Sequence, residues 1–399
     1  MIHTISFTES RERSVPANAG RDHRSRLYGA RAVCVGTLLV ISGCFTSGPA
    51  RFRLNTEGRD AAEITSAQRE AIAETLEELF GMPDAPKVPD DVTLQLPLLQ
   101  RAAGPVCGNR QGNQAGLYRQ HCAACHELSG GGGGATAGAQ NPYPRDFRNG
   151  WFKYTSTAGG AKPTREDLDR IIRNGIPATA MPSFERLSDD EVDALVEYVR
   201  YLSIRGETEL YLLQLVVDED EYLPLDVDEI LEDAVVPAAE SWVVARQTEV
   251  VFPPQPEYAP GELAASVERG GRLFLSEDAK CFQCHGESGR GDGEQSELYD
   301  DWNKGKKGAT PGETRKLARR YRLPVQRLRP RNFTEGIFRG GSEPEDVFWR
   351  IHVGIKGTPM PAAGRAEGNT GVLTSDEIRD VANYVRSLSR KVAGTLRVP

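Results

Sequence analysis

The 399-residue chain has few of the residues that most often carry chemistry, with seven Cys, six His and four Met. No stretch reaches the roughly 18–20 apolar residues of a membrane-spanning helix. Positive charge is not in excess: 49 Lys and Arg stand against 57 Asp and Glu, a net charge of −8, so the global basic field that holds nucleic acid is lacking. A hydrophobic content of 39% beside 27% charged residues excludes wholesale disorder. Period-two alternation is weak throughout, which argues against a β architecture and for an all-α class. No nucleophile–base set or substrate pocket stands out. The length suits two or three domains, and the positions of the scarce Cys, His and Met decide what they do.

Residues 32–43 (AVCVGTLLVISG) form a short apolar stretch preceded by Arg21, Arg24, Arg26 and Arg31. A charged leader, a short apolar core and small residues at its end read as a secretory signal over 1–43. The ending Ile41-Ser42-Gly43-Cys44 resembles a bacterial lipobox, which makes Cys44 the expected lipidation site. A plain signal peptide with Cys44 unmodified is the alternative. Lipidation would place the chain on the periplasmic side of a bacterial membrane, tethered by acyl chains that contribute about 0.8 kcal/mol per buried CH₂.

An internal repeat dominates the rest. Residues 144–154 (PRDFRNGWFKY) match 330–340 (PRNFTEGIFRG) at 5 of 11 positions, and 166–182 match 345–361 at 8 of 17. Residues 187–203 match 373–389 at another 8 of 17. Upstream of the two copies stand CAACH at 122–126 and CFQCH at 281–285. The expected layout is therefore a signal at 1–43, a tether with one amphipathic helix at 44–105, and domains at 106–206 and 258–391. An acidic, Pro-rich connector at 207–257 joins the two domains. Helices are expected over 65–80, 165–173 and 344–352, and at the end of each domain. There Ser188 with Glu191, and Thr374 with Glu377, have capping-box spacing ahead of an apolar face.

C-x-x-C-H is the attachment signature of c-type haem: two thiols reach the two vinyl groups and the next His reaches the iron. Cys122, Cys125 and His126 form one such set, and Cys281, Cys284 and His285 the other. A zinc reading lacks further ligands at the right spacing, and a thioredoxin-like CxxC lacks its βαβ context. Two of the four Met fall at one repeat position, Met181 in GIPATAMP and Met360 in GIKGTPMP. A thioether is a soft donor that favours ferrous iron, so this pairing marks sixth ligands, against the alternative of Met as core filler. Met82 reads as packing, His352 as a helix-surface residue or propionate neighbour, His121 as exposed and Cys107 as an unpaired thiol. A Cys44–Cys107 disulfide is the alternative if lipidation fails. Arg145 and Arg331, in the repeated PR[DN]F, are candidate propionate partners or plain surface arginines.

Gly116-Leu117-Tyr118 before CAACH, the glycines after it, PRDF, the Met-Pro loop and the YVRYL helix resemble class I cytochrome c. The second copy carries Leu273-Phe274 before CFQCH and GESGRGDG after it. The run from Gly130 to Gly134 departs from the family's usual wording. The resemblance implies two His/Met-ligated haems c, each crevice closed by an N-terminal helix crossed against a C-terminal one. It also implies single-electron transfer between redox protein partners. A dihaem peroxidase and a fixed electron-accepting subunit of a larger oxidase or dehydrogenase are the rivals. Charge is uneven: 207–240 holds 12 acids and no Lys or Arg, whereas an insertion near 303–331 in the second copy holds 11 Lys or Arg and one acid. That insertion is expected to dock the connector or an acidic redox partner.

Overall fold

The computed structural model describes residues 49–106, 108–109, 112–218, 224–295, 298–299, 310–365 and 371–389. The expected signal 1–43, Cys44, Cys107 and residues 303–309 of the insertion lie outside the described residues. Everything described belongs to one compact unit, Gly48–Pro399. Helix accounts for 48% and strand for 4%, so the class is all-α.

The first half carries α1 (Ser66–Phe80), α2 (Leu96–Ala102), α3 (Leu117–His121), α4 (Ala123–His126), α5 (Arg165–Asn174) and α6 (Asp189–Leu213). It continues through α7 (Val227–Ile230) and α8 (Val236–Val243). The second half carries α9 (Glu262–Phe274), α10 (Cys281–His285), α11 (Pro311–Ala318), α12 (Pro344–His352) and α13 (Ser375–Ser387). Among the described residues strand is confined to two short antiparallel ladders, β1 (Gly81–Met82) with β2 (Ala85–Pro86) and β3 (Leu298–Tyr299) with β4 (Arg327–Leu328). Met82 sits in the first ladder opposite Ala85.

The capping boxes form as the spacing predicts: Ser188 Oγ accepts from Glu191 N while the Glu191 carboxylate accepts from Ser188 N at 2.9 Å. Thr374 and Glu377 repeat this at the start of α13. Helix α6 does not stop near 206, however. It runs 25 residues and buries Tyr198, Tyr201, Ile204, Leu212 and Leu213 beside the expected Val192–Leu195–Val199–Leu202 face. A helix apolar on several sides needs partners on several sides.

Those partners are the segments expected to be a tether and a connector, and both expectations are corrected. From residue 49 onward the supposed tether is part of the first core: Ile72, Leu76, Leu79 and Phe80 of α1 and Leu99 and Ala102 of α2 share one buried cluster with α6. Polar links fasten it. Tyr201 Oη donates to Phe80 O at 2.6 Å, Gln95 N to Glu197 Oε1 at 2.8 Å, and Asn55 N to Glu209 Oε1 at 2.6 Å. The acidic connector is not a free linker either, because Val216, Ile230, Val235 and Trp242 enter the same cluster. Two of its acids turn inward as well, Glu207 pairing with Lys162 at 2.5 Å and Glu209 with Arg205 at 3.1 Å, whereas Asp226, Asp228, Glu229, Glu232, Asp233 and Glu240 are exposed.

In the second half α9 crosses α13 as the resemblance implies. The crossing is tight at Gly270, where an added Cβ would collide with the Asp380 carbonyl. The Asp380 carboxylate accepts from Ser266 Oγ at 2.5 Å and Arg269 Nε at 2.6 Å, which locks the register. The first half departs from this: α3 has only five residues, and α2 packs along α6 instead.

The basic insertion leaves and returns through the β3–β4 ladder. Its described part bonds to the first domain. Arg322 donates to both Glu127 oxygens at 2.9 and 2.7 Å and to Glu57 Oε1 at 2.6 Å. Gln326 Nε2 donates to Gln140 O at 2.8 Å. The acids it prefers are fixed and half-buried, so an arginine fork is held there bidentately.

Candidate functional site

Each C-x-x-C-H motif forms one helical turn, α4 with its cap Cys122 and α10, so the two thiols and the His project from a single short element. The loop after each is built by matching backbone bonds. Gly132 N donates to His126 O at 3.1 Å, as Gly291 N does to His285 O at 2.8 Å. Gly134 N donates to Cys125 O at 3.0 Å, as Gly293 N does to Cys284 O at 3.2 Å. The glycine run that departs from the family's wording therefore makes the same scaffold.

PR[DN]F then supplies two things to each site. Its Arg carbonyl faces the His ring, with His126 Nδ1 3.0 Å from Arg145 O and His285 Nδ1 3.4 Å from Arg331 O. A carbonyl only accepts, so Nδ1 carries the proton and Nε2 keeps its lone pair. Its Phe stacks on the ring: His126 and Phe147 lie 4.5 Å apart, as do His285 and Phe333. A second Phe continues each stack, Phe152 at 5.9 Å and Phe338 at 6.0 Å. These phenylalanines were not among the expected site residues, although their repetition in both copies was the signal for them.

Burial holds both imidazoles at about 4, so each is neutral at physiological pH and fit to ligate. Burial likewise pushes the Cys122 thiol up to about 12 and Cys281 up to about 11, against the thiolate form a zinc site would use. Among the described residues no three His, Cys, Asp or Glu side chains gather as a metal site.

The two Met are presented by loops of one design. Ile176 N donates to Met181 O and Ile355 N to Met360 O, both at 3.1 Å. Thr179 and Thr358 hydroxyls accept from the Met amides at 3.2 and 3.3 Å. Met181 and Cys122 pack against the first apolar cluster, Met360 and Cys281 against the second. Phe184, just past Met181, meets His121 edge-on at 5.8 Å, which joins the Met loop to the residue before CAACH. His121 is thus half-buried rather than exposed. His352 is also corrected: it is 2% exposed and packs on Phe348 at 5.4 Å, inside the second core rather than on a helix surface.

These residues suit a c-type haem in donor chemistry. The buried Nε atoms of Arg331 and Arg339 lack an acceptor, which the carboxylate edge of such a group would provide.

Comparison with known proteins agrees. Residues 110–199 match the family model described as cytochrome c oxidase, cbb3-type, subunit III, and residues 267–389 match the one described as cytochrome c. No curated protein matches the chain. A chain of the reducing HAO-like protein complex of Kuenenia stuttgartiensis is similar at 26% sequence identity over 69% of this chain and 94% of that one, with a TM-score of 0.47. Two cytochrome c matches in tandem, over two sites of one geometry, make this chain a two-domain c-type cytochrome, whose domains imply c-type haem and haem-based electron transfer.

Proposed function

We propose that the protein is a dihaem one-electron carrier between respiratory partners. Cys122 and Cys125 would hold one haem covalently, with His126 and Met181 as its ligands; Cys281, Cys284, His285 and Met360 would do the same for the other. The observation that carries this reading is the duplication of the whole arrangement, from the carbonyl-fixed imidazole to the threonine-braced Met loop. When bound, such a group supplies a reversible Fe(III)/Fe(II) couple, whose potential a thioether ligand raises.

The chain's own residues do the rest. Arg145 O and Arg331 O fix the imidazole tautomer, Phe147 and Phe333 hold the ring plane, and the two apolar clusters limit water. With Met181 and Met360 as sixth ligands, neither iron would keep the vacant coordination position that a peroxidase needs, which favours electron transfer over catalysis. Cys44 is proposed to carry the lipid that tethers the mature chain outside the cytoplasm.

A redox titration followed optically, on wild type and on Met181→His and Met360→His, tests the ligation. Two haems are expected, and each variant should lower the potential of one. Potentials that ignore both substitutions would reject His/Met ligation. Cys44→Ala should release the protein from the membrane fraction, and retention there would reject the anchor. A fixed subunit of a larger oxidase is the second reading, favoured by the first domain's likeness to subunit III. Co-purification with a membrane complex in constant stoichiometry would select it over a free carrier.

A further inference from the structure

The two halves meet in a crossed manner. Arg145 of the first domain donates from Nη2 to Lys356 O at 3.4 Å, in the loop that presents Met360. Arg339 of the second domain donates from Nη2 to Ala178 O at 3.4 Å, in the loop that presents Met181. Each arginine therefore leaves its own half and ends at the Met loop of the other.

Close approach makes this possible: a Cβ on Gly357 would lie 2.8 Å from Arg145 Nη1, and a Cβ on Gly340 would lie 2.6 Å from the Tyr154 ring. Tyr154 and Gly340 occupy the same repeat position, so the ring of one half fills the space the other leaves. Around Tyr154 gather Arg350, Arg339, Arg145 and Arg331, which oppose the upward push of burial on its phenol.

Among the described residues Arg339 forms no ion pair with a carboxylate, and Arg331 only a long one. Arg350 spends its donors on the carbonyls of Arg339 and Gly341. Glu335 takes Arg331 only at 3.4 Å, and Asp346 lies 3.6 Å from Arg170. The Nε atoms of Arg331 and Arg339 are buried without an acceptor. Burying guanidinium charge in this way is costly unless an anion completes it.

We propose that Arg339, carried by the second domain, is a positioning residue for the first domain's haem, pairing with its propionate carboxylates, while Arg145 serves the second domain's haem in return. The proposal rests on the binding of one haem in each half. A cation held beside a haem destabilises the ferric state, so each potential is set in part by the opposite domain.

The test is the midpoint potential of each haem in Arg339→Gln, measured alone and with Met181→His, whose displaced potential marks the first-domain haem. The first-domain midpoint is expected to fall by the equivalent of about a tenfold change in its oxidised-to-reduced ratio, about 59 mV for one electron. The second-domain midpoint should move far less. Arg145→Gln should give the reverse pattern. Arg339→Lys keeps the charge and should hold the potential near that of wild type. No shift in Arg339→Gln, an equal shift in both haems, a shift confined to the second, or an Arg339→Lys that behaves like Arg339→Gln would overturn the proposal. A haemochrome assay on the wild type separates this from failure of the underlying reading, since fewer than two haems would show there first.

Discussion

At the scale of single residues, the two sites differ most in a buried ion pair. Arg148 is 1% exposed and gives Asp146 a bidentate fork at 2.9 and 2.7 Å. The second half has Asn332 and Thr334 in those places, where Asn332 Oδ1 accepts from Thr334 N at 3.1 Å and Thr334 Oγ1 at 2.7 Å, and its Nδ2 donates to Glu335 at 3.1 Å, with no buried ion pair. Asp146→Asn should retain the cap to Arg148 N yet strand the guanidinium in the core. Losing one partner of a buried pair costs about 3–5 kcal/mol. Thermal melting should show the first domain destabilised by that order, and a loss below about 1 kcal/mol would mean the pair is solvated enough to spare its partner. The Cys, His and Met of the candidate sites stood out in the sequence because their types are rare and their spacing repeats. Arg148 did not, because the repeat breaks at that position, and Arg339 did not, because its contact lies in the other half.

At the scale of elements, the helix crossing in the second half depends on one missing methyl group. Gly270→Ala must push α9 away from Asp380, and through it disturb the bonds to Ser266 and Arg269. Overpacking of this kind costs about 1–3 kcal/mol. Denaturant titration should register that loss in the second domain, with the first unchanged; a neutral effect would show that the crossing has slack. Capping boxes and the 3.6-residue period made the terminal helices readable in advance. The role of residues 49–105 was unreadable for a definite reason: Ile72, Leu76 and Leu79 announce that α1 has a buried face, but not which surface covers it. The acid-rich segment misled in the opposite way, because its 12 acids drew attention from Val216, Val235 and Trp242, which direct it into the core.

At the scale of the whole molecule, the halves are fastened by cations reaching in both directions, Arg145 and Arg170 from the first domain and Arg322, Arg339 and Lys356 from the second. Lys356 Nζ donates to Ala161 O at 2.9 Å, and burial first, then Lys162, brings its amine down to about 8 against the pull of Glu207. Between pH 8 and the usual lysine value near 10.5 the folded chain binds fewer protons than the unfolded one, so stability rises with pH across that window. Below about pH 8 the cost of the buried cation is present in full. The melting temperature of wild type should therefore climb relative to Lys356→Met between pH 8 and 10, and a constant difference would reject the shift. The long-range fastening of the first domain also bears on how the chain is made. Gln95 closes on Glu197, Asn55 on Glu209, and Thr157 bridges to Glu249, so that core cannot be completed until about residue 249 has been synthesised. High contact order of this kind slows folding. CAACH consequently passes through an extended interval as open chain, in which both of its thiols stay accessible before the core closes around them.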